Sequence, residues 1–159
     1  GYLMGRVGCF LVNDDYGLPT SLPWGMAFPR GAPPSTAANL AGQFHLQLPP
    51  GTPLDQVMVV HPTELYEIAL MFVVLVLLWR WRSHRQAPGW LFGVFLVLSS
   101  IERIVVEIFR IKDDRIWGPI SVAQLLSFAL VLLGMLVLIG TWLMKHYAAE
   151  EREEVRGEK

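Results

Sequence analysis

The sequence predicts an all-α membrane protein with about three transmembrane helices, a short N-terminal helix remnant and a proline-rich extramembrane loop. The first observation is composition, because 53% of the 159 residues are hydrophobic and the mean hydropathy is +0.41. The second is that the apolar residues form long blocks instead of recurring at amphipathic spacing. The third is that prolines gather between these blocks. Blocks of this length are typical of helices that cross lipid.

Charge and cysteine content exclude several classes of protein. The net charge is −1, so no overall basic balance predicts nucleic-acid binding. The only cysteine is Cys9, which excludes an internal disulfide and a multi-cysteine metal site. We predict neither a metal nor another cofactor. Because the chain begins at Gly1 without a methionine or a signal-peptide pattern, we expect it to be a fragment of a longer protein.

Residues 1–17 form the first predicted unit, a partial membrane helix followed by a signature-like motif. Residues 1–12 are apolar but too few to cross a bilayer, which takes about 20 residues. Arg6 lies within this segment between Gly5 and Gly8, which allow another backbone to approach closely. A polar turn then leads to Gly17, where a positive φ would cost little.

Residues 18–62 form the second predicted unit, a proline-rich periplasmic loop. They contain nine of the eleven prolines, together with many Ser, Thr, Gly and Asn residues. This composition disfavours long helices and indicates an extended polar excursion outside the bilayer. Within it, we expect residues 33–53 to be a surface loop.

Residues 63–147 form a predicted bundle of three spans, at residues 65–81, 89–111 and 120–144. Arg80, Arg82 and Arg85 crowd the hairpin between the first two spans, so the positive-inside rule makes that hairpin cytoplasmic. The proline-rich loop is then periplasmic, and the C-terminus is cytoplasmic. Residues 148–159, with five glutamates, form a charged tail that we expect to be a solvated helix extension or disordered.

The second span carries four charges in its outer half, and each costs roughly 2.5 to 3.5 kcal/mol at bilayer depth. Arg103 and Glu107 are spaced i, i+4 and are predicted to form an internal pair. We expect Arg110 to extend into the lipid headgroups, since a polar loop follows it at once. We assign no role to Glu102.

A second stretch of interest, residues 61–67, reads HPTELYE. One interpretation is a well-formed helix start, with Pro62 in the first turn and Tyr66 as an interfacial anchor. The alternative is a site, because His61, Glu64 and Glu67 converge on the same side of the bundle as Arg6 and Arg103. Two cations in a low-dielectric setting suit a phosphate group, and a histidine can accept a proton near neutral pH. A lipid headgroup supplies a phosphate at that depth.

Together these stretches resemble the C-terminal part of the prolipoprotein diacylglyceryl transferase family. The resemblance rests on blocks that occur in the family's order and cover nearly all of the chain except its acidic tail: GRVGCF with YG at residues 5–10 and 16–17, PWGMAFP at 23–29, HPTELYE at 61–67, ERIVVEIFR at 102–110 and GPISVAQLLS at 118–127.

This resemblance implies a polytopic enzyme of the bacterial inner membrane. Such an enzyme moves diacylglyceryl from phosphatidylglycerol to the thiol of a lipobox cysteine in a preprolipoprotein, releases glycerol phosphate and needs no metal. The resemblance matches Arg6 to the signature-motif arginine, Gly17 to the glycine that closes that motif, and Arg103 with Glu107 to the paired charges of the penultimate span. Together with the convergence described above, this predicts the catalytic residues Arg103, Glu107 and His61, and the substrate-binding residues Arg6, Asp14, Gly17, Tyr66 and Glu67.

The sequence also departs from the family pattern. Cys9 replaces the usual asparagine of the signature motif, and Ser99 replaces a tyrosine one turn before the family's arginine. The family's N-terminal half, with a histidine-glycine-glycine stretch, has no counterpart in these residues. Two hypotheses therefore stay open. The chain is either part of a diacylglyceryl transferase, or a non-catalytic, transferase-derived subunit that packs into a larger membrane complex.

Overall fold

A computed structural model describes residues 1–83, 87–111, 115–117 and 120–157. Helix α1 spans Tyr2–Val12, the short helix α2 spans Ala37–Gly42, and the long helices are α3 (Thr63–Trp81), α4 (Trp90–Glu107) and α5 (Val122–Gly157). Two antiparallel ribbons pair β1 (Met26–Ala27) with β2 (Val59–Val60) and β3 (Arg115–Trp117) with β4 (Ile120–Ser121). The predicted hairpin residue Arg85 and the polar residues 112–114 lie outside the described residues.

The long helices fall where the apolar blocks predicted them. Within the described residues, one helical stretch, Val122–Glu150, is long and apolar enough to cross a membrane by length and composition. Helices α3 and α4 have 19 and 18 residues, which gives each a length of roughly 28 Å. Each of these two helices also carries three charged residues. A mostly helical fold with a long apolar helix agrees with the predicted class of all-α membrane protein.

Small residues bring α4 and α5 close together. A Cβ atom on Gly134 would lie 3.0 Å from the carbonyl oxygen of Gly93 and 2.8 Å from Val97 Cγ2. Close backbone approach through small residues is the usual way in which membrane helices pack. The remaining surface of α5 exposes large apolar side chains, including Leu125, Leu132 and Leu136. Lipid or further membrane helices would cover such a surface.

The proline-rich segment packs into a small core of its own. Tyr16, Phe28, Leu40, Val60 and Ile111 are buried together, and the rings of Tyr16 and Phe28 stack with centroids 5.6 Å apart. The prediction that residues 33–53 form only a surface loop is therefore wrong, because Leu40 on α2 is fully buried. An apolar helix turn within a proline-rich loop has too few residues to show a periodicity.

The charged tail continues α5 as a helix as far as Gly157. The helix extension, one of the two predicted states, is thus the one observed up to that residue.

Candidate functional site

Six charged side chains form a closed ring in which acidic and basic groups alternate. In order around this charge ring, the members are Asp15, Arg6, Glu67, Arg103, Glu107 and Arg110, and the last contacts the first. They come from α1, the turn after α1, the first turns of α3 and the C-terminal end of α4. The antiparallel arrangement of α3 and α4 brings these ends to the same side of the bundle.

Four of the six contacts in the charge ring are short. Arg6 Nη1 lies 2.7 Å from Asp15 Oδ2, and Arg6 Nε lies 2.7 Å from Glu67 Oε2. Arg103 Nη1 donates to Glu67 Oε1 at 2.9 Å. Arg110 donates to Asp15 Oδ1 from Nη2 at 2.6 Å and from Nε at 3.2 Å, and Nη2 also contacts Oδ2. Charge-assisted contacts are the strong class of hydrogen bond, and the contact between Arg110 and Asp15 is also bidentate.

The two contacts of Glu107 are looser. Its Oε2 lies 3.6 Å from Arg110 Nη1 and 3.8 Å from Arg103 Nη2, which are ion-pair distances but too long for hydrogen bonds. This oxygen is buried and has no hydrogen-bond partner in the part of the chain that the structure describes. The charge ring is therefore tight around Asp15 and Glu67 and slack at Glu107.

Arg103 is the ring member with the most unused donor capacity. Its side chain is 25% exposed, compared with 14% for Arg6 and 8% for Arg110. Its Nη1 is taken by Glu67, while Nε and Nη2 have no hydrogen-bond partner among the described residues. A guanidinium with a free edge can bind a second anion without first losing its carboxylate.

Arg110 corrects one sequence-based expectation. It does not extend into a headgroup layer, because its side chain is buried against both oxygens of Asp15. The backbone also holds Arg110 next to the turn that carries Asp15, since Gly17 and Arg110 pair as an antiparallel β-bridge. The expectation was wrong because the anionic partner lies 95 residues earlier in the chain.

The HPTELYE stretch anchors the turn that carries Asp15. The Thr63 hydroxyl donates to the Asp15 carbonyl at 2.5 Å, and the Asp15 N–H donates to Glu64 Oε1 at 3.3 Å. The Gly17 N–H donates to the His61 carbonyl at 2.8 Å. Glycine is required at 17, because a Cβ there would collide with the Phe109 carbonyl and lie 2.7 Å from Thr63 Cγ2. The helix start and the signature-like motif therefore form one structural unit.

A cavity of about 510 Å³ opens beside the charge ring, between α1, α3, α4 and α5. Its polar wall contains Arg6, Arg103, Glu102, Ser99 and Ser100. Tyr2 and Ser127 also line it, and the other lining side chains are apolar, including Phe95, Leu96, Leu126 and Leu130. Two cations beside an apolar wall suit a ligand that carries both a phosphate and hydrocarbon.

His61 and Tyr66 line a different cavity of about 490 Å³, and none of its lining residues is shared with the first cavity. The Trp24 indole N–H donates to the Tyr66 hydroxyl at 2.9 Å, and that hydroxyl lies 3.0 Å from His61 Nδ1. The chain of bonds is complete when the Tyr66 hydroxyl donates to an unprotonated Nδ1. Partial burial lowers the pKa of His61 below its ordinary value, which also favours the neutral ring.

The structure brings together four of the eight residues singled out from sequence, namely Arg6, Glu67, Arg103 and Glu107, and Gly17 supports the turn beside them. It does not bring Asp14 into the charge ring, because that side chain is exposed while its neighbour Asp15 is buried. It does not join His61 or Tyr66 to the ring either. Asp15 was a candidate by its position in the sequence but was not among the eight predicted site residues, and Arg110 was not among them either. Among the described residues, no group of three or more His, Cys, Asp or Glu side chains is arranged to hold a metal.

The fold and the charge ring define an all-α membrane protein with a neutral cluster of buried ion pairs next to a partly apolar cavity. The chain belongs to the prolipoprotein diacylglyceryl transferase family, whose model matches residues 1–140.

Named relatives agree with this assignment. The chain is similar to phosphatidylglycerol–prolipoprotein diacylglyceryl transferases from Wolbachia pipientis (34% identity, covering 88% of this chain and 47% of the relative), Rhodopseudomonas palustris (32%, 89% and 44%) and Vibrio atlanticus (30%, 98% and 50%). The chain thus spans about half the length of the curated relatives that it matches.

Proposed function

We propose that this chain forms the phosphate-binding part of an enzyme that moves diacylglyceryl from phosphatidylglycerol to the thiol of a lipobox cysteine in a prolipoprotein. The observation that carries the proposal is Arg103. Nε and Nη2 of its guanidinium have no hydrogen-bond partner among the described residues, and Arg103 lines a cavity with one polar and one apolar side together with Arg6. The names of the relatives supply the reaction, because they state both the lipid and the acceptor protein.

The proposed chemistry assigns this chain an electrostatic role. The lipid phosphate binds at Arg103 and Arg6, and the hydrocarbon lies along the apolar wall of the same cavity. The substrate thiolate attacks the glyceryl carbon, a carbon–sulfur bond forms, and the carbon–oxygen bond to phosphate breaks. Glycerol phosphate leaves with the bonding electrons, and the two guanidiniums stabilise its charge. Glu67 and Glu107 orient Arg103 for this step.

His61 and Tyr66 have a separate place in the proposal. Because they line the second cavity, we assign them to its hydrogen-bond chain with Trp24 and not to proton transfer at Arg103. We infer that neither Asp15 nor Glu67 is the base which deprotonates the thiol, since both carboxylates are occupied by arginines.

We also propose the membrane arrangement for which the sequence argues. Helices α3, α4 and α5 each cross the bacterial inner membrane, residues 18–62 lie in the periplasm, and the tail after residue 147 lies in the cytoplasm. Exposed Arg80 and Arg82 at the end of α3 support this orientation. Both the charge ring and the proline-rich core then lie toward the periplasmic side. Reporter fusions at residues 45 and 83 should report opposite sides, and the same side for both would contradict the arrangement.

The alternative is a non-catalytic subunit that packs into a larger membrane complex. The observation that favours it is the balance of the charge ring, in which three arginines face three carboxylates. A ring of this kind can persist as structure alone, because removing one partner of a buried pair is costly even where no ligand binds.

Complementation of a transferase-depleted bacterium separates these functions. The intact gene should restore growth, and Arg103→Ala should not, although immunoblots should find both proteins in the membrane. Arg82→Ala is the matched control, since Arg82 is exposed and stacks 3.8 Å above the Trp79 ring, and it should restore growth. Failure of both wild type and Arg103→Ala would favour the subunit, and rescue by Arg103→Ala would remove Arg103 from the mechanism.

A further inference from the structure

Glu102 is a buried carboxylate that the charge ring does not use. Its side chain is 5% exposed and lines the 510 Å³ cavity that also contains Arg6 and Arg103. Among the described residues, no basic group lies within 4.0 Å of it, and Glu102 Oε1 has no hydrogen-bond partner. An unpaired buried carboxyl is expensive, so its presence requires an explanation other than folding.

A second polar group in the same cavity is also unsatisfied. Ser100 Oγ is buried and lacks a hydrogen-bond partner within the described part of the chain. Its neighbour Ser99 is different, because its hydroxyl donates to the Phe95 carbonyl of its own helix at 2.7 Å. The cavity therefore combines two cations with two unused polar groups, a carboxyl and a hydroxyl.

We infer that Glu102 and Ser100 bind the hydroxyl groups of a polyol headgroup, so that the cavity selects phospholipids whose phosphate is esterified to a polyol. The phosphate would bind at Arg103 and Arg6, and the headgroup hydroxyls would donate to Glu102 and exchange a hydrogen bond with Ser100. The inference rests on the proposed function for its phosphate site and adds the residues that determine headgroup specificity.

The charges in the cavity favour hydroxyls over an ammonium group. An ammonium bound at Glu102 would share the cavity with two guanidiniums and experience like-charge repulsion in a low-dielectric setting. A hydroxyl carries no net charge and still supplies the donor that the carboxylate lacks. A site that is built to accept hydrogen bonds also rejects a headgroup without donors, because its polar atoms are then left unpaired.

The test measures lipid preference with the intact protein in detergent. Phosphatidylglycerol, phosphatidic acid and phosphatidylethanolamine with identical acyl chains compete for binding. Wild type should prefer phosphatidylglycerol to phosphatidic acid, and Glu102→Leu should reduce that preference about 10-fold or more, the scale of one hydrogen bond to a charged group. Thr141→Ala is the control, because Thr141 lies outside this cavity and its hydroxyl donates to the Leu138 carbonyl of its own helix at 2.8 Å, and it should keep the wild-type preference.

Thermal unfolding of the same variants separates specificity from structure. Glu102→Leu should unfold at the wild-type temperature or above, because it replaces an unpaired buried carboxylate by an apolar side chain. A clear fall in unfolding temperature would mean that Glu102 has a structural partner, and this outcome would overturn the inference. An unchanged preference in Glu102→Leu, or a loss confined to phosphatidylethanolamine, would overturn it as well.

Two further arms identify the source of the ligand and the level at which any failure occurs. Soluble glycerol phosphate should displace the lipid from wild type but not from Glu102→Leu. This result would mean that Glu102 binds the hydroxyls of the headgroup whether or not the lipid chains are attached. Arg103→Ala should weaken binding of all three lipids. If wild type binds none of them, the proposed function fails together with the inference. If Glu102→Leu matches wild type while Arg103→Ala does not bind, only the inference fails.

Discussion

Glu67 is the carboxylate whose neutralisation should destabilise the protein most clearly. It is almost fully buried and lies 2.7 Å from Arg6 Nε and 2.9 Å from Arg103 Nη1. The substitution Glu67→Gln keeps the shape of the side chain but removes the charge, and its NH₂ group would face guanidinium donors. Removing one partner from a buried ion pair costs about 3 to 5 kcal/mol. For a chain of this size, that corresponds to a loss of roughly 6 to 20 °C in unfolding temperature.

Glu107→Gln provides the matched control for Glu67. Glu107 is also buried and also faces two arginines, but its contacts are 3.6 and 3.8 Å long. Arg110 keeps its bonds to Asp15, and Arg103 keeps its bond to Glu67. We therefore expect Glu107→Gln to cost clearly less than Glu67→Gln, because the longer contacts of Glu107 couple it more weakly to the two arginines.

The assay is thermal unfolding of the intact protein in detergent, followed by tryptophan fluorescence at pH 7. The order of the two variants is the decisive result. If Glu107→Gln lowers the unfolding temperature as much as Glu67→Gln does, contact length does not determine the energetics of the charge ring, and the distinction between a tight Glu67 and a slack Glu107 is refuted.

Three more outcomes follow from the same contacts. Gly17→Ala should lower the free energy of unfolding by about 1 to 3 kcal/mol, because its Cβ has no room beside the Phe109 carbonyl. Gly8→Ala on α1 is the control and should not lower it, because a Cβ there has nothing within 4 Å. Thermal unfolding of both variants distinguishes local crowding from a general effect of replacing glycine. Arg110→Lys should also lower the unfolding temperature, since an ammonium cannot reproduce the two-nitrogen contact with a buried carboxylate, and an unchanged temperature would restore the headgroup interpretation. The third outcome concerns pH. Burial lowers the pKa of His61 in the folded state, so as the pH falls the unfolded chain binds the extra proton first. The contribution of His61 to stability is therefore complete above the ordinary histidine pKa of about 6.5 and declines as the pH falls below it. His61→Gln should flatten this part of the plot of unfolding free energy against pH.

Local sequence patterns were enough to predict the long helices. The helix of the first predicted span, residues 65–81, is observed as α3, Thr63–Trp81. Apolar blocks of this length have few alternatives, because a helix satisfies its own backbone hydrogen bonds within the segment. The proline-rich segment was predicted less well. Its buried core depends on contacts such as Tyr16 with Phe28 and Leu40, and a sequence without periodicity does not show which apolar residues meet.

The site could be predicted only in part from the sequence. The i, i+4 spacing of Arg103 and Glu107 indicated a contact, but the structure shows that Glu67, 36 residues away, is the closer partner of Arg103. The adjacent residues Asp14 and Asp15 carry the same side chain, so the sequence did not show which of them pairs with the arginines.

Taken by itself, the sequence determined that this protein is a helical membrane protein, which family it resembles and which helix ends carry charge. These properties follow from hydropathy and from spacings within a single turn. Only the tertiary structure decided that Asp15 is buried while Asp14 is exposed, that Arg110 closes the charge ring, and that Glu102 Oε1 has no hydrogen-bond partner in the described part of the chain. The physical reason is distance along the chain. An ion pair between residues 95 positions apart depends on how α1, α3 and α4 dock, and charge spacing along the sequence carries no information about that docking.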